Sequence, residues 1–188
     1  LLEGAFWAFH YAHWAQQYAT DADLAAEVSR AHAIGLDTLI LYTGEGGDGS
    51  YATVAPETGV EQIEAWRGRD PLEAILTRAD ELSMQVYLGD TAPGGYLHTT
   101  PPDDAAPLQE RLYRHREQLL ARYGKHPSLA GYYVNFEVCP TNFGNDPAGP
   151  ARQVQQLAAF VKAHHPHLRV IQPGGLYRGQ GAQEAAEF

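Results

Sequence analysis

The stretch L-A-G-Y-Y-V-N-F-E, residues 129–137, reads as a strand with two unlike faces. A period of two puts Tyr133, Asn135 and Glu137 on one side and Tyr132, Val134 and Phe136 on the other. The second side is large and apolar throughout, so it is expected to meet helices. The first side ends in an amide and a carboxylate at the carboxyl-terminal tip. Ahead of this strand lies a helical pattern over 105–123, stopped by Gly124 with Pro127 just beyond. Behind it come a second helical pattern over 150–164 and another short strand over 168–172.

The same alternation extends toward the amino terminus. A strand is expected over 4–10 (G-A-F-W-A-F-H), then a helix over about 21–34 with Leu24, Val28 and Ala31 at helical spacing behind Thr20 or Asp21 as cap. A second strand, T-L-I-L-Y, covers 38–42. Asp70-Pro71 then opens a helix to about Leu82, by a cap followed by a first-turn proline, and a third strand covers 85–88. Four β-α units and a fifth strand imply a parallel sheet with right-handed crossovers. The fold expected is a (β/α)8 TIM barrel of which the chain covers roughly strands 1–5. An open parallel α/β sheet is the alternative. At 188 residues the chain reads as a single, partial barrel domain over 1–188, because a full barrel takes ~250 residues. Strands six to eight would come from the rest of the natural chain or from another chain. The opening Leu1-Leu2-Glu3-Gly4, with neither Met nor a charged-then-apolar leader, is what a processed or excised chain would show.

Composition excludes several functions. With 23 acidic against 13 basic side chains and a net charge of −10, the chain lacks the clustered cations that nucleic acid requires. Its one basic cluster, Arg111, Arg114 and Arg116, is expected on a solvated helix face. One cysteine, Cys139, forms no disulfide framework or Cys-rich zinc module. No apolar run approaches the ~20 residues of a membrane span. The compartment stays open, with secreted or periplasmic the side favoured.

Connections from helix to strand are tight, whereas those from strand to helix, 11–20, 43–69, 90–104 and 138–149, are long. Long loops gather function, and these all leave the carboxyl ends of strands. Strand one runs into His10 and His13-Trp14, strand two into Tyr42 and Glu45, strand three into Asp90. A tip carboxyl among aromatic rings, as at Glu137, would have its pKa raised by desolvation, which suits a general acid. Trp7, Trp14, Tyr42 and Tyr96 would suit stacking on flat sugar faces, with Trp7 reading equally as barrel core; His10 and His13 suit a hydrogen-bonding or proton-shuttling role, and Asn135 offers an amide on the face of Glu137. His10, His13 and Glu137 would also suit a metal-dependent hydrolase, although H-x-x-H at a strand end is a poor ligand pattern. Gly44-Glu45-Gly46-Gly47-Asp48-Gly49 spells G-x-G-x-x-G, but no helical period follows, so it reads as a lid rather than a nucleotide loop. No cofactor is expected. His164, His165 and His167 fall at the opposite end and read as solvated.

The runs D-P-L-E-A-I-L-T-R-A-D-E-L-S-M-Q-V-Y-L-G (70–89) and R-Y-G-K-H-P-S-L-A-G-Y-Y-V-N-F-E-V (122–138) resemble a bacterial, glycoside-hydrolase-related TIM-barrel family, the domain of unknown function DUF4434. The opening strand, I-G-L-D-T-L-I-L-Y and R-V-I-Q-P fit the same pattern, so the resemblance covers nearly the whole chain. It implies that Glu137 matches the strand-four glutamate, the acid/base position of the large retaining-glycosidase clan. Asn135 stands where the family often has Pro, and Phe136 intervenes where the clan's Asn directly precedes its Glu. A second carboxylate is needed ~5 Å away in a retaining enzyme and ~6.5–9.5 Å away in an inverting one. In the clan it comes from strand seven, so Glu45 and Asp90 are the tip carboxylates available as stand-ins. The implied activity is hydrolysis of a glycosidic bond in an oligo- or polysaccharide. A non-catalytic carbohydrate-binding or assembly module is the rival.

Overall fold

Among the described residues, short runs rich in branched and aromatic side chains form five strands: β1 (Gly4–Trp7), β2 (Thr38–Tyr42), β3 (Gln85–Gly89), β4 (Leu129–Tyr133) and β5 (Arg169–Ile171). Four helices alternate with them: α1 (Asp21–Ala33), α2 (Pro71–Leu82), α3 (Ala106–Tyr123) and α4 (Gly149–His164). The computed structural model describes residues 3–7, 17–42, 66–89, 106–133 and 149–171.

Each strand pairs parallel with the next, in the order β1-β2-β3-β4-β5. This order decides between the two expected architectures. A doubly wound sheet reverses its order at a switch point, which puts helices on both faces. An unbroken order with right-handed crossovers keeps every helix on one face, as in a barrel wall. The fold is that of a partial (β/α)8 barrel.

Burial agrees with that assignment. The row Trp7–Leu41–Leu88–Tyr132 faces the helices, as do Leu39 and Val86 one step below. These side chains share one core with Leu24 and Val28 of α1, Leu72, Ile75 and Leu76 of α2, Leu119, Leu120 and Tyr123 of α3, and Val161 of α4. Each such aliphatic side chain contributes about 1.5–3 kcal/mol when fully buried. The opposite face carries Phe6, Tyr87 and Tyr133. The Phe6 and Tyr133 rings meet edge to face with centroids 5.0 Å apart. Their strands stand three places apart, roughly 14 Å across a flat sheet. Side chains rising from a flat sheet would not meet over that span, so the sheet curls with this face concave.

The helix starts follow local chemistry. Thr20 caps α1 through a reciprocal box: its hydroxyl accepts the Asp23 amide at 3.2 Å, and its own amide donates to the Asp23 carboxylate at 2.8 Å. Asp70 caps α2 ahead of Pro71, accepting the Glu73 amide at 3.1 Å.

The segment 122–128 ties α2 to the entry of β4. Arg122 pairs with Asp70, whose Oδ1 also accepts the Tyr123 hydroxyl at 2.7 Å. Lys125 reaches Glu73 at 3.3 Å. His126, buried, lies with Nδ1 2.6 Å from Asp80 Oδ2 and Nε2 3.3 Å from Glu73 Oε2. The Ser128 amide donates to Asp80 Oδ1 at 2.8 Å. One expectation fails on this helix. Arg114 is exposed, but Arg116 is buried at 5% exposure. It shares the inward face of α3 with Leu119, Leu120 and Tyr123, at helical spacings of three, four and seven.

Between Val86 and Tyr87 the β3–β4 register shifts, with Leu129 opposite Val86 and Gly131 opposite Tyr87. Here β4 runs so close to β5 that a Cβ on Gly131 would sit 2.0 Å from the Arg169 carbonyl oxygen. Backbone cannot yield as a side-chain tip does. Gly131→Ala is therefore expected to lower the unfolding free energy by about 3 kcal/mol, read from the urea midpoint; an unshifted midpoint would refute the close approach.

Burial works to raise the Asp80 pKa, but hydrogen bonds from Ser128 and His126 outweigh it and hold the carboxyl below its ordinary value. A pKa depressed in the folded state adds stability above the unfolded value of about 4, lost as pH falls through the folded one. Asp80→Asn should cost roughly 1–3 kcal/mol at neutral pH and make the acid limb shallower. Urea midpoints between neutral pH and the acid limb check this; parallel curves for the two proteins would contradict it.

Candidate functional site

Parallel strands send every onward connection out at one rim. Along that rim Tyr42, Gly89, Tyr133 and Ile171 form a single row, each in register with the next. Trp7 closes β1 one step below, opposite Leu41. Gly89 leaves room for its neighbour, because a Cβ there would lie 3.1 Å from Tyr133 Cδ1. The Tyr133 ring leans over β3 toward Phe6, and both Tyr133 and Tyr87 are buried on the concave face.

At the same end, the turns entering α1 and α2 are joined. The Trp7 and Tyr18 rings meet edge to face with centroids 5.5 Å apart. Burial, then the charge of Glu27, pushes the Tyr18 phenol pKa up, against a hydrogen bond from Trp7. Arg69 donates from Nη1 to the Tyr18 carbonyl at 2.9 Å. Its Nε and Nη2 donate to Asp21 Oδ1 at 2.9 and 2.7 Å. The guanidinium also lies 4.9 Å from the centre of the Trp66 ring, and Trp66 is fully buried.

Of the expected site residues, Tyr42 is the one whose backbone is described, as the last residue of β2 opposite Gly89. Glu137, Asp90, Glu45, His10, His13, Trp14, Tyr96 and Asn135 lie outside the described residues. In the sequence Asp90 directly follows Gly89, and Glu137 comes four residues after Tyr133, the last residue of β4. Likewise Glu45 lies beyond Tyr42, and His10 beyond Trp7. Among the described residues no group of three or more His, Cys, Asp or Glu could hold a metal ion, and no helix is long and apolar enough to cross a membrane. The Trp66–Arg69 junction was not expected. Its one sequence signal is a tryptophan and an arginine just ahead of the Asp70-Pro71 helix start.

No sequence among the curated proteins matches this chain. Solved structures do match its fold. A candidate alpha-L-fucosidase from Bacteroides thetaiotaomicron superposes with a TM-score of 0.65 at 16% identity, over 91% of this chain and 50% of its own. An alpha-L-fucosidase GH29 from the same organism gives 0.61 at 10% identity, over 84% and 36%. An endocellulase from Pyrococcus horikoshii, in complex with cellotetraose, gives 0.58 at 15% identity, over 92% and 51%. The chain thus spans between a third and a half of the length of these barrel enzymes. The family described as Domain of unknown function (DUF4434) matches residues 2–174, and this chain belongs to it.

Proposed function

We propose that the protein is a carbohydrate-active hydrolase that cleaves a glycosidic bond at the rim formed by the carboxyl ends of its strands. The observation that carries this reading is the register row Tyr42–Gly89–Tyr133–Ile171. The strands that precede Glu45, Asp90 and Glu137 in the sequence end side by side at one edge of a curled sheet. The glycosidase-like fold supports the same chemistry, and the aromatic residues near these tips suit flat sugar faces.

In this reading Glu137 protonates the glycosidic oxygen as the bond breaks. Its aromatic and apolar sequence neighbours, Phe136 and Val138, support a role as general acid, since desolvation raises a carboxyl pKa. Asp90 or Glu45 activates water or takes the glycosyl group. Asn135, His10 and His13 hydrogen-bond hydroxyls, while Trp14, Tyr42 and Tyr96 stack on the ring. The substrate is an oligo- or polysaccharide; α-L-fucosides and β-glucans head the panel to be tried, since proteins acting on them share the fold.

The test uses the full natural chain with an aryl α-L-fucoside and cellotetraose. Glu137→Gln should cut turnover by roughly 10²–10⁴-fold while leaving glycan affinity intact. Unchanged turnover would remove Glu137 from the mechanism. Glycan affinity without any turnover in the wild type would favour the binding module, and activity abolished by exhaustive chelation would favour the metal-dependent hydrolase.

A further inference from the structure

Arg69 makes more contacts than a helix-entry residue needs. It stands immediately before the Asp70 cap of α2, yet its side chain crosses to the start of α1 and grips it twice. An exposed ion pair contributes little, about 0–1 kcal/mol, so stability alone is a weak reason for this arrangement. The Arg69 side chain is only 20% exposed, however, and it is held from below by the buried Trp66 ring. Two of its nitrogens share Asp21 Oδ1 and the third takes a backbone carbonyl. A lysine, with one nitrogen at the end of a flexible stem, cannot reproduce that fork.

We propose that Arg69 is a positioning residue that locks the entry turns of α1 and α2 together at the rim. The links are continuous. Trp7, the last residue of β1, packs on Tyr18; the Tyr18 carbonyl is held by Arg69; and Arg69 lies on Trp66, which belongs to the central core. A shift of one turn must therefore break the Arg69 fork or carry the other turn with it. These turns close the first and second strand-to-helix connections, whose sequences include His10, His13, Trp14 and Glu45. Substrate geometry at the rim follows from the spacing Arg69 sets, a consequence that rests on the carbohydrate reading.

The experiment compares wild type, Arg69→Lys, Arg69→Gln, Asp21→Asn and the Asp21→Asn/Arg69→Gln pair in the full natural chain. Amide hydrogen exchange is followed at 17–23 and 66–72. In Arg69→Gln both segments should exchange roughly tenfold faster, with β2 and β3 unchanged. Lysine should not rescue the effect, and the pair should exchange no faster than Arg69→Gln alone. A rise confined to 66–72 would overturn the proposal. On whichever glycan the wild type hydrolyses, KM should rise about tenfold with kcat nearly unchanged. A lower melting temperature with KM unmoved would reduce Arg69 to a structural contact and overturn its positioning role. If the wild type hydrolyses neither glycan, the hydrolase reading fails, and the exchange result alone decides whether the turns are coupled.

Discussion

Strict parallel pairing in chain order is the constraint on which the other features depend. Five strands that all run one way must release all their following segments at one edge. Right-handed crossovers then keep the helices on a single face, and the other face is left to curl inward on its own side chains. The Phe6–Tyr133 contact is the physical sign of that curl. The strand-to-helix connections at the rim and the packing in the wall are thus separated by geometry.

The register shift in β4 has a consequence out of proportion to its size. An extra residue opposite the Val86–Tyr87 step leaves Leu129 and Tyr132 both toward the helices, with Gly131 and Tyr133 on the concave face. A slip by one would exchange the two faces of everything downstream. The contacts at 122–128 secure this register, because Asp80 holds the Ser128 amide directly before β4 begins. Residues 122–128 of the run that carries the family resemblance are thus anchoring: they fix how β4 enters the sheet.

Local patterns made much of this legible from sequence. The Thr20 and Asp70 caps, the buried pair Leu24 and Val28, and the opposite faces of Tyr132 and Tyr133 all follow from residue spacing within a few positions. What was missed depends on partners far along the chain. Arg116 was expected in solvent because a guanidinium is usually solvated, but its helical phase matches Leu119, Leu120 and Tyr123. Trp66 and Arg69 look like loop residues until Tyr18 and Asp21, 48 to 51 positions earlier, are brought beside them. The candidate carboxylates show the same limit. Sequence gives their order and the strand each follows, but not the distance between them.

That distance is what separates the possible chemistries. Segments leaving adjacent strands start about 4.8 Å apart, and those two strands apart start about 10 Å apart before curling is considered. Gly89 and Tyr133 end adjacent strands, so β3 and β4, which precede Asp90 and Glu137 in the sequence, finish side by side. Tyr42 ends the next strand over, so β2, which precedes Glu45 in the sequence, finishes one spacing further from β4. A concave rim shortens the second separation more than the first, because curvature draws distant strands together while adjacent ones stay at hydrogen-bonding distance. The same curl that brings Phe6 against Tyr133 therefore draws the ends of β2 and β4 together, which in the proposed mechanism would narrow the gap for a water between Glu137 and Glu45. The degree of curl, set by side chains on the concave face, is the structural variable that would tune the spacing of the carboxylates in the proposed mechanism.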